Sequence, residues 1–294
     1  METLEGLKRK IRSAHELQSV VRTMKALAAV SIRQYERAVE SLEQYNRTVL
    51  LGLRAVLKNR PQEAGSAREA ATDHLGAIVF GSDQGMCGQL NEQIATYALD
   101  RMDELGIENN RRTILAVGDR VGSRLEGDRQ PVADVFSVPS SLAGVTPSVQ
   151  QVLLQILAWT QEQGIQRVEL YYSEQLSGAS YEPRTIRLLP VDRAWLARIE
   201  EEPWPTRVLP DFSMGWDALF SALIRQYLFV SLYRAFAESL ASENASRLAA
   251  MQNAERNIDE RLTELRGRFN QQRQSTITEE LLDIVSGFEA LKED

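Results

Sequence analysis

Two stretches at opposite ends of the chain repeat their apolar residues at steps of three and four. In the first, Leu4, Leu7, Ile11, Ala14, Val21, Met24, Ala28, Tyr35, Leu42, Val49 and Val56 follow a period near 3.5. No proline interrupts residues 2–60, Pro61 stops the run, and Gly6 and Gly52 weaken the helix only near its ends. In the second, Ile258, Leu262, Leu265 and Phe269, then Ile277, Leu281, Ile284 and Phe288, place one stripe on a single helix face. No proline follows Pro210, so residues 212–294 read as one helix, which at ~1.5 Å per residue would reach ~120 Å. Its 235–254 portion is rich in Ala and Ser and lets a partner approach closely. A helix this long must pack along another long element. The shared period predicts an antiparallel coiled coil of the two ends, in preference to a bundle, since a third long helix is missing. If the helices part company with the middle of the chain at Arg60 and Phe212, Met24 falls opposite Leu248. Residues 272–294 then overhang the partner.

Between the two helices the period changes. Residues 61–74 read as a linker, with Pro61, Gly65 and many Ala and polar residues. Residues 75–80 form a short apolar run closed by Gly81, as a buried strand would. Helical spacing over 91–105, a strand at 113–117, a helical turn at 121–125 and a strand at 132–138 follow. Residues 147–163 read as a helix with proline in its first turn and Gly164 past its end. Strands at 168–172 and 184–189 complete the pattern, the last two as a hairpin. Alternating strands and helices imply a Rossmann-like α/β domain with a mostly parallel sheet. Residues 195–210, with three prolines, reconnect it to the second long helix. The expected division is thus 1–60, 61–211 and 212–294.

Composition narrows the class. Over 294 residues, 43% apolar content is that of a soluble globular chain. No stretch of about 18 apolar residues is long enough to span a bilayer. The start lacks the basic-then-apolar order of a secretory signal, and a single cysteine, Cys87, excludes an internal disulfide. The expected place is the cytosol, with any membrane attachment made through other proteins. Net charge is −7, yet residues 1–60 carry 12 Lys and Arg against 6 Glu, a balance of +6. This basic helix, Arg33 and Arg37 included, either meets acidic loops of a partner or is a solvated face. Nucleic acid is disfavoured, since the aromatic residues of a base-stacking platform are absent.

Candidate chemistry is sparse. Gly81-Ser82-Asp83-Gln84-Gly85-Met86-Cys87-Gly88 is a strand-to-helix turn where a phosphate could sit. It matches neither the dinucleotide fingerprint nor the P-loop, having no Lys-Ser/Thr at its end. Tight turning and close helix–sheet packing account for its glycines. Cys87 has only His15 and His74 as possible bases, on other segments, and these three residues make no zinc pattern. Asp83 and Asp119 follow strand ends, where α/β enzymes place acids, but aspartate also caps helices there.

Three segments carry a resemblance to the gamma subunit of F-type ATP synthases. One runs from Ile11-Arg12-Ser13 through Thr23-Met24-Lys25-Ala26-Leu27-Ala28-Ala29-Val30. Another continues the glycine-rich turn through Gln89-Leu90-Asn91, similar to the family's Ser-Asp-Arg-Gly-Leu-Cys-Gly-Gly-Leu-Asn. The most specific is Phe269-Asn270-Gln271-Gln272-Arg273-Gln274-Ser275-Thr276-Ile277-Thr278-Glu279-Glu280-Leu281, preceded by Glu238–Arg247. Gln84, Met86 and Gln89 depart from the family's Arg, Leu and Gly, a hint of its divergent alternative branch. The resemblance implies a rotor shaft inside a ring of alpha and beta subunits, with beta holding the catalytic sites. It implies no catalysis, cofactor or metal in this chain, and an α/β foot beside epsilon and the membrane c-ring. Residue by residue, Met24 and Arg247 match positions that meet loops of beta, and Arg273, Gln274, Thr278 and Glu280 match the upper bearing. Thr206, Leu209 and Asp211 are expected on the ring and epsilon side. The complex would hold the chain peripherally at the cytoplasmic face of an energy-transducing membrane. The other classes are a static coiled-coil scaffold and an enzyme using the 81–88 turn.

Overall fold

The computed structural model describes residues 3–61, 74–176, 180–208 and 210–290. Most of the expected linker and the candidate contact residue Leu209 lie outside the described residues. The chain folds as two compact units, residues 28–247 and residues 1–27 with 248–294.

The larger unit is built on a five-stranded sheet in the order β3-β2-β1-β4-β5. Its strands are β1 (Leu75–Phe80), β2 (Arg112–Val117), β3 (Val132–Phe136), β4 (Arg167–Gln175) and β5 (Tyr181–Leu189). The first four run parallel, and β5 pairs antiparallel with β4, closing the expected hairpin. All six residues of β1 are buried, which is why it reads as an unbroken apolar run and not as an alternation. Helices α2 (Leu90–Glu104) and α3 (Asp119–Gly127) cover one face through Ile94, Ala98, Met102, Val121 and Leu125. The other face carries α4 (Leu142–Glu162) together with a stretch of α6 (Trp216–Ala290). There Phe236 meets Phe80 edge-on with ring centroids 4.9 Å apart, beside Leu232, Leu240 and Tyr35 of α1 (Leu4–Lys58). Helix α5 (Arg193–Glu201) closes a third cluster, in which Ile199 packs with Val49, Leu53 and Leu57.

Three expectations are corrected here. Helix α4 begins at Leu142, so Pro147 lies inside it and not in its first turn. Its ring forfeits only one backbone bond near the start, where Gly144 N–H already turns tightly onto the Ser141 carbonyl (3.0 Å). The connection over 195–210 is not all irregular, because α5 occupies its first part. The Asp192 side chain caps that helix by accepting from Ala194 N–H (2.9 Å). Helix α6 starts at Trp216 and not at Phe212, since Asp211 accepts from Phe212 N–H (2.8 Å) and holds that residue in a local turn.

In the smaller unit α1 and α6 run antiparallel. Burial on α1 recurs at 4, 7, 11, 14, 18, 21, 25 and 28, the alternation of three and four that a coiled-coil seam requires. The register differs from the one expected. Glu255 of α6 sits between Arg22 (2.9 Å) and Lys25, and Asp259 pairs with Gln18. Charge complementarity across the seam sets the alignment, which helix ends alone do not. The stripe on α6 is also not continuous. Leu262 and Leu265 are buried and Phe269, Gln272 and Thr276 half-buried, whereas Ile277, Leu281 and Ile284 are one position further on, about 100° round the helix.

The apolar seat of α6 on the sheet should dominate stability. Phe236→Ala is expected to cost about 3–5 kcal/mol in urea unfolding, whereas Leu154→Ala, 66% exposed, should stay within about 0.5 kcal/mol. Equal losses would show that the sheet does not depend on this helix.

Candidate functional site

The reversal of strand order between β1 and β4 creates the crevice where open α/β sheets take ligands, outside the carboxyl ends of the strands. Here α6 lies across it. Ser242 donates its hydroxyl to the Ser173 carbonyl at the end of β4 (2.9 Å). One turn on, Ser246 donates to the Cys87 carbonyl in the glycine-rich turn (2.5 Å) and lies 3.4 Å from the Tyr181 hydroxyl. The alanines at 235, 237, 241 and 245 are all buried, so the helix is closely packed on several sides.

The turn itself is held from within. Ser82 N–H donates to Asn91 Oδ1 (2.9 Å), while Asn91 Nδ2 donates to Ser82 Oγ (2.8 Å). Asp83 accepts from Asp119 N–H (3.1 Å) and Val138 N–H (2.9 Å), tying the loops after β1, β2 and β3 together. Its carboxylate is thus a structural clasp. Gly118, at φ +120°, allows the closest approach: a Cβ there would come within 2.7 Å of Ser82 N. A Cβ on Gly81 would meet Val121 Cβ at 2.5 Å, the close helix–sheet packing expected of this glycine. Cys87 is buried against Ser82 and Asn91, while His74 is 2.9 Å from Thr113 Oγ1 and His15 faces Arg266. No cysteine–histidine pair forms.

Beside this clasp sits an ion pair that sequence reasoning missed. Arg247 donates to Glu243 (2.5 Å), with both side chains about nine-tenths buried. Burial pushes the Glu243 carboxyl up, against the pull of Arg247; burial and Glu243 together push the Tyr35 hydroxyl up. An i, i+4 spacing of Glu and Arg is a visible signal, but only the tertiary packing shows that it is dry.

The remaining candidates are spread along the long helices. Met24 is half-buried beside the seam; Arg33 and Arg37 are exposed on α1. Arg273, Gln274, Thr278 and Glu280 are exposed on α6. Thr206 donates to the Val208 carbonyl (2.9 Å) in the loop after α5, and Asp211 is exposed nearby. The basic balance of α1 is partly neutralised within the pair, since Arg22 and Lys25 both bond Glu255 and hold its carboxyl below the usual range. Beyond Thr276, α6 exposes Ile277, Leu281, Leu282, Ile284 and Val285 by 49–67%. No described residue covers them.

Comparison with known proteins gives a consistent picture. The model of the ATP synthase family matches residues 3–291. The chain is 28% identical to an ATP synthase gamma chain of a Cyanothece species, covering 99% of this chain and all of that one. It is 29% identical to the ATP synthase gamma chain of Rhizobium rhizogenes with the same coverage. Its fold is similar to a chain in the OSCP/F1/c-ring of the Euglena gracilis mitochondrial ATP synthase, with TM-score 0.65 and 21% identity over 98% of this chain and 94% of that one. A chain from the rotor of the same enzyme superposes with TM-score 0.63 and 19% identity, over 93% of this chain and 98% of that one.

Replacing Asp83 by Ala removes the acceptor for two backbone N–H groups and is expected to cost about 1–3 kcal/mol in urea unfolding. A loss near zero would mean that the three loops hold together without it.

Proposed function

We propose that this chain, which belongs to the ATP synthase family over residues 3–291, is the gamma subunit of a rotary ATP synthase and forms the helical shaft of its central stalk. The observation that carries the reading is the bare end of α6. Five large apolar side chains in nine residues are exposed there, each worth about 1.5–3 kcal/mol when buried. An isolated helix end with that surface associates with itself or others unless it is sleeved. The exposed stripe points away from the seam that α1 occupies, so the cover has to come from another chain. A ring of alpha and beta subunits around the shaft supplies such a sleeve.

On this reading the chain performs no catalysis. The glycine-rich turn has no P-loop lysine, and α6 fills the crevice in which a nucleotide would lie. Met24, Arg33 and Arg37 meet loops of the surrounding ring, whereas Arg247 is taken up by its buried pair with Glu243; Arg273, Gln274, Thr278 and Glu280 form the upper bearing. Thr206, Leu209 and Asp211 face epsilon and the c-ring. Transmembrane ion flow turns the c-ring and shaft together and drives the catalytic sites of beta through their states. No described helix is long and apolar enough to cross a membrane, and the chain is attached peripherally, at the cytoplasmic face, through the complex.

Limited proteolysis tests the sleeve. Trypsin or chymotrypsin should cut the isolated chain between Arg273 and its end, and assembly with alpha and beta should suppress that cleavage. Equal protection in both forms would remove the reading. Coupling tests the basic face of α1: the double substitution Arg33→Glu and Arg37→Glu reverses two exposed charges. ATP-driven ion pumping by the assembled complex should fall severalfold at low salt and recover partly as salt screens the new repulsion. Pumping equal to the unmodified complex would leave Arg33 and Arg37 as a solvated face.

A further inference from the structure

Glu238 lies on the face of α6 that packs against the sheet and is only 8% exposed. Its surroundings do not suit a buried carboxylate. Tyr172 of β4 hydrogen-bonds it, and Glu174 of β4 adds like charge. Arg184 of β5 is the nearest cation from the sheet, but it already pairs with Glu174 and, at 3.7 Å, with Glu182. One oxygen, Oε2, has no hydrogen-bond partner among the described residues. The remaining cation is Arg234, one turn earlier on α6. Its Nε is 3.7 Å from Glu238 Oε1 and makes no hydrogen bond among the described residues, while its Nη2 is 3.5 Å from Glu43 of α1. Arg234 therefore stands between two carboxylates on different helices, at ion-pair distance from both and bonded tightly to neither.

We propose that Arg234 is a proton-gated tether: with Glu238 protonated it binds Glu43 and adds an ion pair between α1 and α6, and when Glu238 ionises it turns inward and gives up Glu43. The physics is a competition for one guanidinium. A protonated Glu238 carries no charge to compensate, and Arg234 is free to pair with the exposed Glu43. An ionised Glu238 is a desolvated charge beside Glu174 with one oxygen unsatisfied, and a guanidinium one turn away is its nearest remedy. Burial raises the Glu238 carboxyl to about 7, so the exchange falls in the neutral range.

The sign follows from linkage. A carboxyl raised from about 4.5 to about 7 leaves the folded chain holding more protons than the unfolded chain between those values. Its contribution to stability is therefore present at acid pH and lost as pH rises towards 7, above which it stays lost. The tether itself weakens later, as Glu238 ionises in the folded chain around pH 7. The device concerns the seat of α6 in this chain, whatever the chain's partners.

The experiment is a double-mutant cycle on the full-length chain. Coupling between Glu43 and Arg234 is measured by urea unfolding with Glu43→Gln, Arg234→Gln and both, at pH 6 and pH 8.5. At pH 6 the pair should change the unfolding equilibrium roughly two- to fivefold, as an ion pair of this exposure does, and at pH 8.5 the coupling should vanish. In a Glu238→Gln background the coupling should persist at both pH values, which a merely structural role for Glu238 would not produce. Carbon-13 NMR of the unsubstituted chain, with glutamate side chains labelled, should show one carboxyl titrating near pH 7. Equal coupling at pH 6 and 8.5, or no glutamate titrating above pH 5.5, overturns the proposal.

Discussion

The larger unit depends on burying one stretch of α6, residues 230–246, against a face and the carboxyl end of a mostly parallel sheet. A helix buried on several sides cannot carry bulky residues all round. This stretch alternates large anchors, Leu232, Phe236 and Leu240, with Ala235, Ala237, Ala241, Ser242, Ala245 and Ser246. The small residues allow contact with the strand ends, and the serine hydroxyls bond the Ser173 and Cys87 carbonyls. The same contact occupies the ligand crevice. A fold shared with nucleotide-binding enzymes is thereby turned into a mount for a helix.

The two ends of the α1–α6 pair are held by different forces. Near α5 the pairing is apolar: Leu53 and Leu57 are buried with Phe220, Leu223 and Tyr227, and Trp216 donates to the Val56 carbonyl (2.8 Å). In the smaller unit Leu7, Leu262 and Leu265 are buried, but much of the intervening seam is Gln18, Lys25, Glu255 and Asp259. Exposed ion pairs add little stability, so these residues chiefly define register. An apolar seat fixes position firmly; a polar seam keeps two helices aligned while binding them weakly.

The long helices and the parallel sheet are legible in the sequence because each rests on a local period: 3.5 along residues 4–56, and continuous apolar runs bounded by glycine at β1 and β2. What is lost is lost for identifiable reasons. Helix α5 hides behind Pro203 and Pro205, although Asp192 followed by Trp195, Leu196 and Ile199 is a cap and an apolar face. The start of α4 hides behind Pro147, although Val145, Val149, Val152 and Ile156 keep helical spacing across it. The filling of the crevice is invisible in principle, since it pairs Ser242 and Ser246 with backbone far away in the chain. The buried glutamate escapes for the same reason: nothing local distinguishes Glu238 from an exposed helix residue. The helix register alone reads the tip as an uncovered overhang, and the resemblance to a family implies its role.

That break in the stripe bears on how such a shaft would work. Two paired helices have at most a twofold outline, and beyond Thr276 only one helix carries the apolar face. Within a ring of three alternating pairs, neither outline can present the same surface to every neighbour at once. In such a ring one neighbour would face the basic side of α1, another the acidic residues of α6, and a third the groove between them. Rotation then permutes these environments among sites that are otherwise identical. The seam's register fixes which charges share a level, and the one-residue step at Ile277 turns the tip's contact face about 100° from the seam. The asymmetry that rotary coupling requires is therefore already present in the spacing of apolar residues along α6.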